Sequence, residues 1–170
     1  MPAEWLKTQP SNRNFLTPIG FKLNLEIFDG VDFFCQSINL PDVSMPFTNV
    51  ATRFREFPIV PGGGLEFGDL RINFIVDEDL HNYVSVHNWI KKNSGANETI
   101  VGDPEYSNGQ LFILTSNFNT NRIIDFEKLF PISITDLSFD ATNNDVEYLT
   151  ASVVFKFVDY TFRTKNFKPL

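Results

Sequence analysis

Apolar and polar side chains alternate along three separated stretches of this chain, and this pattern constrains the fold more than any other feature. It is clearest over residues 21–27, where Phe, Leu, Leu and Ile alternate with Lys, Asn and Glu. It returns over residues 70–76 and 153–158. A period of two is typical of a strand with one buried face, so these stretches predict half-buried β-strands.

A turn signal joins the first of these strands to the residues that follow it. Asp29 and Gly30 are typical of a tight turn, and residues 31–40 continue as a second apolar run. We therefore predict a β-hairpin in which residues 21–27 pair with residues 31–40.

One stretch, residues 77–95, has the pattern of a helix. Three acids open it, Lys91 and Lys92 lie near its end, and Gly95 follows. Acids at the start and bases at the end both favour the helix dipole, and Gly is a common residue just past a helix. The apolar spacing predicts a buried face made of Leu80, Tyr83, Val84, His87 and Ile90.

The second half of the chain predicts more strands. We expect a polar connection over residues 96–110, a strand over 111–118, and a break or edge position at Pro131. A final alternating strand lies within residues 147–163. About seven strands, one helix and no alternation of strands with helices predict a mainly β fold, an antiparallel β-barrel or sandwich with a single packed α-helix.

The length of the chain sets its domain organisation. Its 170 residues suffice for one domain with a sizeable core and are too few for two. We expect a single domain over residues 1–170, with a polar, proline-containing N-terminal arm at residues 1–18 and a basic, aromatic C-terminal tail at residues 163–170.

Residues 41–68 combine two properties that seldom occur together. Four prolines and a Gly62–Gly64 run argue against a core strand, whereas the number of large apolar side chains argues against a solvated loop. Something should therefore cover this segment. The sequence leaves two arrangements open: an extended excursion from the domain, or a segment folded back on its own core.

Charge and cysteine content exclude several classes of protein. The net charge of −7 argues against tight binding of nucleic acid through its phosphates. With Cys35 as the one cysteine, no internal disulfide can form, and we expect it to be a buried apolar residue. No stretch has the length of a membrane span or a signal peptide, so we expect a protein made soluble in the cytoplasm.

Catalytic, metal and cofactor motifs are missing from the sequence. His81 and His87 are six apart, which does not place them as a metal-binding pair on one helical face. Gly62–Gly64 lacks the Lys and Ser/Thr of a phosphate-binding loop, and residues 140–148 have Asp145 where a calcium loop needs Gly. We therefore expect no enzymatic activity, no cofactor and no metal site.

The order of these elements resembles that of the tail tube proteins of contractile-tailed bacteriophages and their relatives. The resemblance rests on the strand that runs into Leu40–Pro41, the proline-rich excursion, the Asp77–Asp79 start of a helix that ends near Trp89, and the alternating last strand. It covers most of the chain, from about Asn14 to Phe162.

This resemblance implies a structural protein that assembles with itself. It implies a β-barrel subunit that forms hexameric rings, which stack into a tube through which DNA passes without specific binding. Residues 41–68 would then be the extended hairpin that reaches a neighbouring ring and would bury a set of apolar side chains on assembly: Val43, Met45, Phe47, Phe54, Phe57 and Ile59. The other expected partners are the sheath or other tail proteins and the baseplate. The expected location is the virion tail, assembled in the host cytoplasm.

Two alternatives remain open from the sequence. The same resemblance fits a specialised ring at the baseplate or head end of the tail, an initiator or a terminator. From another class, a monomeric ligand-binding β-sandwich would use the aromatic loop residues to line a groove.

Overall fold

The computed structural model of the chain describes residues 14–27, 35–60, 62–95, 103–140, 142, 148–166 and 168. Residues 1–13 of the predicted arm, the predicted turn at Asp29 and Gly30, residues 96–102 of the predicted connection, and Asp145 lie outside these ranges. In the described residues the chain forms one helix, α1 (His81–Asn93), and the following strands: β1 (Phe21–Leu25), β2 (Cys35–Ile38), β3 (Val43–Ser44), β4 (Thr48–Ala51), β5 (Glu56–Ile59), β6 (Glu66–Phe67), β7 (Leu70–Ile75), β8 (Ser107–Leu114), β9 (Thr120–Ile134), β10 (Thr150–Lys156) and β11 (Asp159–Thr164).

Seven of the strands form one antiparallel sheet, in the order β1-β8-β9-β10-β7-β2, with β11 paired to β9. Strand β9 is long enough, at 15 residues, to pair with β8 and β11 through its first part and with β10 through its last part. The remaining strands form two separate antiparallel pairs, β3 with β6 and β4 with β5. The predicted fold class, mainly antiparallel β with a single packed helix, is confirmed for the described residues.

A single apolar core lies between the sheet and the helix. The alternating residues of β7 and β10 face inward, as the period-two pattern predicted. The fully buried side chains come from widely separated parts of the chain and include Leu23, Leu70, Ile72, Phe74, Val86, Ile124, Phe126, Leu129, Val153 and Phe155. We refer to this sheet, its core and α1 as the body of the protein.

The predicted hairpin between residues 21–27 and 31–40 is wrong in its pairing. Strand β1 pairs with β8 over five residues, and β2 pairs with β7, so the two lie at opposite ends of the strand order. The long-range pairing with β8 outweighs the local turn preference, because β8 supplies Leu111 and Ile113 beside the apolar face of β1.

The helix lies where the sequence predicted it, and its predicted buried face is correct in part: Leu80, Tyr83 and Ile90 are half-buried, and the last two pack against the core. The buried residues are Asn82, Val86 and Trp89, whereas Val84 and His87 are exposed. Asn82 can be buried because its side-chain amide donates to the Ile75 carbonyl at 2.9 Å and its own backbone N–H donates to Asp77. The three acids precede the helix rather than occupy its first turn.

Two further strand predictions needed correction. Residues 107–110, expected in a polar connection, begin β8, and Gly109 is buried where a Cβ would lie 2.4 Å from the Leu129 side chain.

Pro131 does not end its strand. Instead β9 continues through it, and the register with β10 skips Ile132, which is a β-bulge beside the missing proline N–H.

Candidate functional site

Residues 43–67 form a long two-part hairpin whose strands pair only with one another. At its base β3 pairs with β6, and further out β4 pairs with β5. Every described residue from Asp42 to Val60 and from Gly62 to Glu66 is exposed. Of the two arrangements that the sequence left open, the structure has the extended excursion.

All six apolar residues predicted to be contact residues are exposed on this hairpin. Their exposed fractions run from 45% for Ile59 to 91% for Phe54. Three further exposed apolar residues, Val50, Val60 and Leu65, belong to the same surface and were missed by the sequence analysis. They could have been identified from the same property of residues 41–68, a proline-rich segment with many large apolar side chains. A hairpin of this size cannot bury such side chains within itself.

The two faces of the outer hairpin differ in polarity. The cross-strand pairs Val50 with Phe57 and Thr48 with Ile59 lie on one face, because directly opposed residues point to the same side. On the other face the Asn49 amide donates to the Glu56 carboxylate at 3.1 Å. One face therefore carries Val50, Phe57 and Ile59, and the other combines the polar Asn49 and Glu56 with Ala51 and Pro58.

The tip of the hairpin, Thr52–Arg55, is basic and aromatic. The Thr52 N–H donates to the Arg55 carbonyl at 3.1 Å and closes the turn, and the Thr52 hydroxyl donates to the same carbonyl. The Arg53 guanidinium lies 5.7 Å from the centre of the Phe54 ring, and that of Arg55 lies 4.8 Å from the Phe57 ring. Both are within the range of cation–π contacts, which hold the two charges against apolar surface.

Aromatic side chains fix the base of the hairpin to the body. The Phe67 ring lies 5.4 Å from the Phe157 ring and 5.3 Å from the Tyr160 ring, centre to centre. The Tyr160 hydroxyl donates to the carbonyl of the buried Pro41 at 3.4 Å. Both ends of the hairpin are thus held by one aromatic cluster, which continues into the core through Phe126.

Polar contacts add to this attachment. The Asn39 amide donates to the Asp69 carbonyl at 2.9 Å, and its carbonyl oxygen accepts from the Arg71 N–H at 2.5 Å. The Asp69 carboxylate lies 2.6 Å from the Lys156 amine and 3.9 Å from Arg71. The hydrogen bond from Lys156 lowers the pKa of Asp69 below its ordinary value.

Gly68 adds a steric requirement at the same place. Its N–H donates to the Asp42 carbonyl at 2.9 Å, and a Cβ on Gly68 would lie 1.8 Å from the Asp42 side chain. A side chain at position 68 would therefore require the Asp42 carboxylate to move.

Comparison with known families assigns the chain to one of them. The family model described as phage tail tube protein matches residues 6–163, which is most of the chain. The chain belongs to the phage tail tube protein family. Members of this family are structural components of the virion tail. No curated protein sequence matches the chain.

Several solved structures share the fold of this chain at low sequence identity. The sheath–tube complex of PVC, an extracellular contractile injection system, in its extended state gives a TM-score of 0.65 at 13% identity, covering 96% of this chain and 99% of that one. The tube terminating cap of the anti-feeding prophage gives 0.67 at 15% identity, covering 93% and 97%. The sheath/tube terminator of PVC gives 0.64 at 16% identity, covering 90% and 100%.

The residues considered for chemistry in this chain do not come together. His81 and His87 are both exposed on α1, and no group of three His, Cys, Asp or Glu side chains in the described part of the chain could hold a metal ion. Cys35, predicted to be buried, is half-buried against the core, and this burial raises the pKa of its thiol to about 11. A thiol with such a pKa is a poor nucleophile at neutral pH.

An ion pair between the buried Asp125 and the partly exposed Arg163 lies beside a cavity of this chain. Asp125 is 8% exposed, and its carboxylate lies 2.5 Å from the Arg163 guanidinium. The cavity has a volume of about 290 Å³ and is also lined by Glu26 and Glu127. Arg163, assigned by sequence to the C-terminal tail, lies in β11.

None of the described helices is long and apolar enough to cross a membrane.

Proposed function

We propose that this chain is the repeating subunit of a tail tube, in which hexameric rings stack around a channel through which DNA passes. One observation carries this proposal: the hairpin of residues 43–67 leaves its apolar side chains in solvent although its base is fixed to the body by Phe67 and Tyr160. Exposed apolar surface of this extent on a fixed element is typical of a protein–protein interface.

The charge of the chain supports a role in guiding DNA rather than holding it. A net charge of −7 gives a surface that repels phosphates, so DNA that passes a wall of such subunits does not adhere.

The arrangement needs no catalytic group, and we propose that the protein is not an enzyme. Its further partners are the sheath or other tail proteins and the baseplate, and assembly takes place in the host cytoplasm.

A specialised ring at one end of the tail is the second candidate. The TM-scores to a cap and a terminator, 0.67 and 0.64, lie on either side of the 0.65 to the sheath–tube complex. Fold similarity therefore favours neither position in the tail, and the family match favours the repeating subunit. A repeating subunit polymerises on its own, whereas an end ring stops at one ring or waits for another tail protein.

Negative-stain electron microscopy of the purified protein over a range of concentrations, with sedimentation velocity alongside, tests the proposal. We expect rings and tubes with a central channel. Single rings at every concentration would support the specialised ring instead. A compact monomer at every concentration would contradict the repeating subunit and leave two candidates, a specialised ring that needs its partner and the ligand-binding sandwich.

The variant Phe54→Asp connects this assembly to the hairpin. We expect it to abolish tubes and leave the subunit folded, because Phe54 is 91% exposed and packs against no core residue. The matched control is Phe118→Asp, which changes another exposed phenylalanine, 65% exposed, in the turn between β8 and β9. Loss of the folded monomer in Phe54→Asp would show that the hairpin serves the subunit's own fold.

A further inference from the structure

Two neighbouring residues of β8, Asn108 and Gly109, form a chemically reactive pair. Asn108 is the only asparagine in the sequence that is followed by glycine. The backbone nitrogen of the next residue can attack the side-chain carbonyl of an asparagine, and glycine hinders this attack least because it has no Cβ and the greatest backbone freedom. The chain therefore contains one site of the type that deamidates most readily.

Deamidation at this pair needs water as its single co-reactant. The Gly109 nitrogen forms a bond to Cγ of Asn108, the bond from Cγ to the amide nitrogen breaks, and ammonia leaves with the proton that Gly109 gives up. Water then opens the succinimide ring. Opening at the new bond gives aspartate, and opening at the original backbone bond gives isoaspartate, whose backbone is longer by one carbon. Either product replaces a neutral amide by a carboxylate.

In the folded chain both ends of the Asn108 amide are hydrogen-bonded. Its nitrogen donates to the Glu26 carboxylate at 3.1 Å, and its oxygen accepts from the Lys128 N–H at 3.4 Å. The Asn108 backbone carbonyl accepts from the Glu26 N–H at 3.2 Å. Strand β8 is also paired on both sides, with β1 and with β9. An extended backbone turns the nitrogen of Gly109 away from Cγ, so the ring cannot close until this part of β8 opens.

The native structure has no place for either product. An aspartate at position 108 would put a second carboxylate against Glu26, where the amide now donates. An isoaspartate would lengthen β8 where its register with β9 already shifts, just before Gly109. A Cβ on Gly109 would lie 2.4 Å from the Leu129 side chain and 3.0 Å from that of Leu25, so nothing larger than glycine fits there. The same packing that requires Gly109 therefore maintains the reactive pair.

We propose that Asn108 is a site of spontaneous deamidation, protected while β8 is paired and reactive when it opens, whose products do not fit the native strand. The contacts with Glu26 are the part of this protection that opens first. Strand β1, which precedes Glu26, has five residues and lies at one end of the strand order. Opening of such a terminal strand costs less free energy than unfolding of the whole body.

Peptide mass spectrometry of the wild type tests the site. Folded protein and protein unfolded in guanidinium chloride are incubated in the same mildly alkaline buffer, and fragmentation locates each deamidated residue and separates aspartate from isoaspartate. Asn108 should react faster than every other asparagine in the unfolded chain. It should react at least about tenfold more slowly in the folded protein, because the reaction then waits for opening. A faster reaction at another asparagine, or equal rates in the two states, overturns the proposal.

The variant Glu26→Ala tests the protecting contact. It removes the carboxylate that accepts from the Asn108 amide, so Asn108 in the folded variant should deamidate at least about threefold faster than in the wild type. The matched control is Lys22→Ala, which removes an exposed charged side chain from β1 itself and should leave the rate unchanged. Equal rates in the two variants would overturn the role of Glu26.

The variant Asn108→Asp reproduces the aspartate product. We expect its Tm to fall by about 3 °C or more, because a hydrogen bond to Glu26 is replaced by repulsion between two carboxylates. The control Asn88→Asp makes the same change at an exposed site of α1 and should stay within about 1 °C of the wild type. A variant that fails to fold supports the same conclusion, whereas equal Tm values for the two variants would show that the product fits the strand.

Discussion

Strand β7 of the body and strand β5 of the hairpin have similar apolar content but opposite surroundings. In β7, Leu70, Ile72 and Phe74 are almost completely buried, whereas in β5 Phe57 and Ile59 remain close to half exposed. The apolar face of β7 is covered by its own chain, and that of β5 is not. Alternation thus predicts which face of a strand is apolar, but it does not predict which molecule covers that face.

The largest expected difference between the two regions concerns stability. Phe74→Ala should lower the free energy of unfolding by about 3–5 kcal/mol, because it leaves a cavity in the closed core. Phe57→Ala on the hairpin should lower it by only about 0.5 kcal/mol, as a substitution at an exposed site does. Urea unfolding of the monomer at low protein concentration measures both. Similar losses for the two variants would mean that the hairpin is part of the core.

The base of the hairpin connects the two regions, and its expected effect is intermediate. Phe67→Ala removes ring contacts with Phe157 and Tyr160 and should cost about 1–2 kcal/mol. The hairpin should also move more freely. Hydrogen exchange of the β4 and β5 amides should then speed up while that of β7 stays slow. Equal acceleration in β7 would show that the body, and not the attachment, had been disturbed.

A single hydrogen bond at the same base should have a smaller effect. Tyr160→Phe keeps the ring and removes the hydroxyl that donates to the Pro41 carbonyl over 3.4 Å, so we expect a loss of about 0.5 kcal/mol. Tyr160→Ala serves as the comparison because it also removes the ring contacts with Phe67 and Phe126. If both variants lose equally, the hydroxyl and not the ring holds the hairpin.

The smallest expected effect is the pH dependence from Asp69. The hydrogen bond from Lys156 lowers the pKa of Asp69 in the folded protein, so its contribution to stability is present above the ordinary carboxyl pKa of 3.8 and is lost as the pH falls through the lower folded value. Asp69→Asn should therefore be slightly less stable than the wild type at neutral pH and equal to it at strongly acidic pH. Urea unfolding of both proteins at pH values on either side of this range measures the difference. A gap that widens on acidification contradicts the assignment.

The sequence predicted features whose pattern is local along the chain, and it missed features that depend on long-range contacts. The alternation of β7 and β10 and the position of α1 are local patterns, and the structure confirms them. The pairing of β1 was missed because its partner, β8, lies more than 80 residues further along the chain. The buried Asn82 was missed because a polar side chain is predicted to be exposed unless its hydrogen-bond partners are known.

For the hairpin of residues 43–67, too, the local features were predicted from the sequence and the long-range contacts were not. Composition predicted that residues 41–68 need a cover; the described residues 42–60 and 62–66 are exposed in the subunit, and the cover itself stays a prediction. The attachment through Phe67 was not predictable, because Phe157 and Tyr160 reach it only through the fold.

The aromatic attachment of the hairpin has a consequence for the order of events during synthesis. The β4–β5 pairing is local and can form as soon as the ribosome has released those residues, but a two-stranded hairpin alone is only marginally stable. Phe157 and Tyr160 emerge about ninety residues after Phe67. A growing or truncated chain has only the contacts among residues 39–71 at the base of its hairpin, so we expect the hairpin to become firmly attached only after the last strand has been translated.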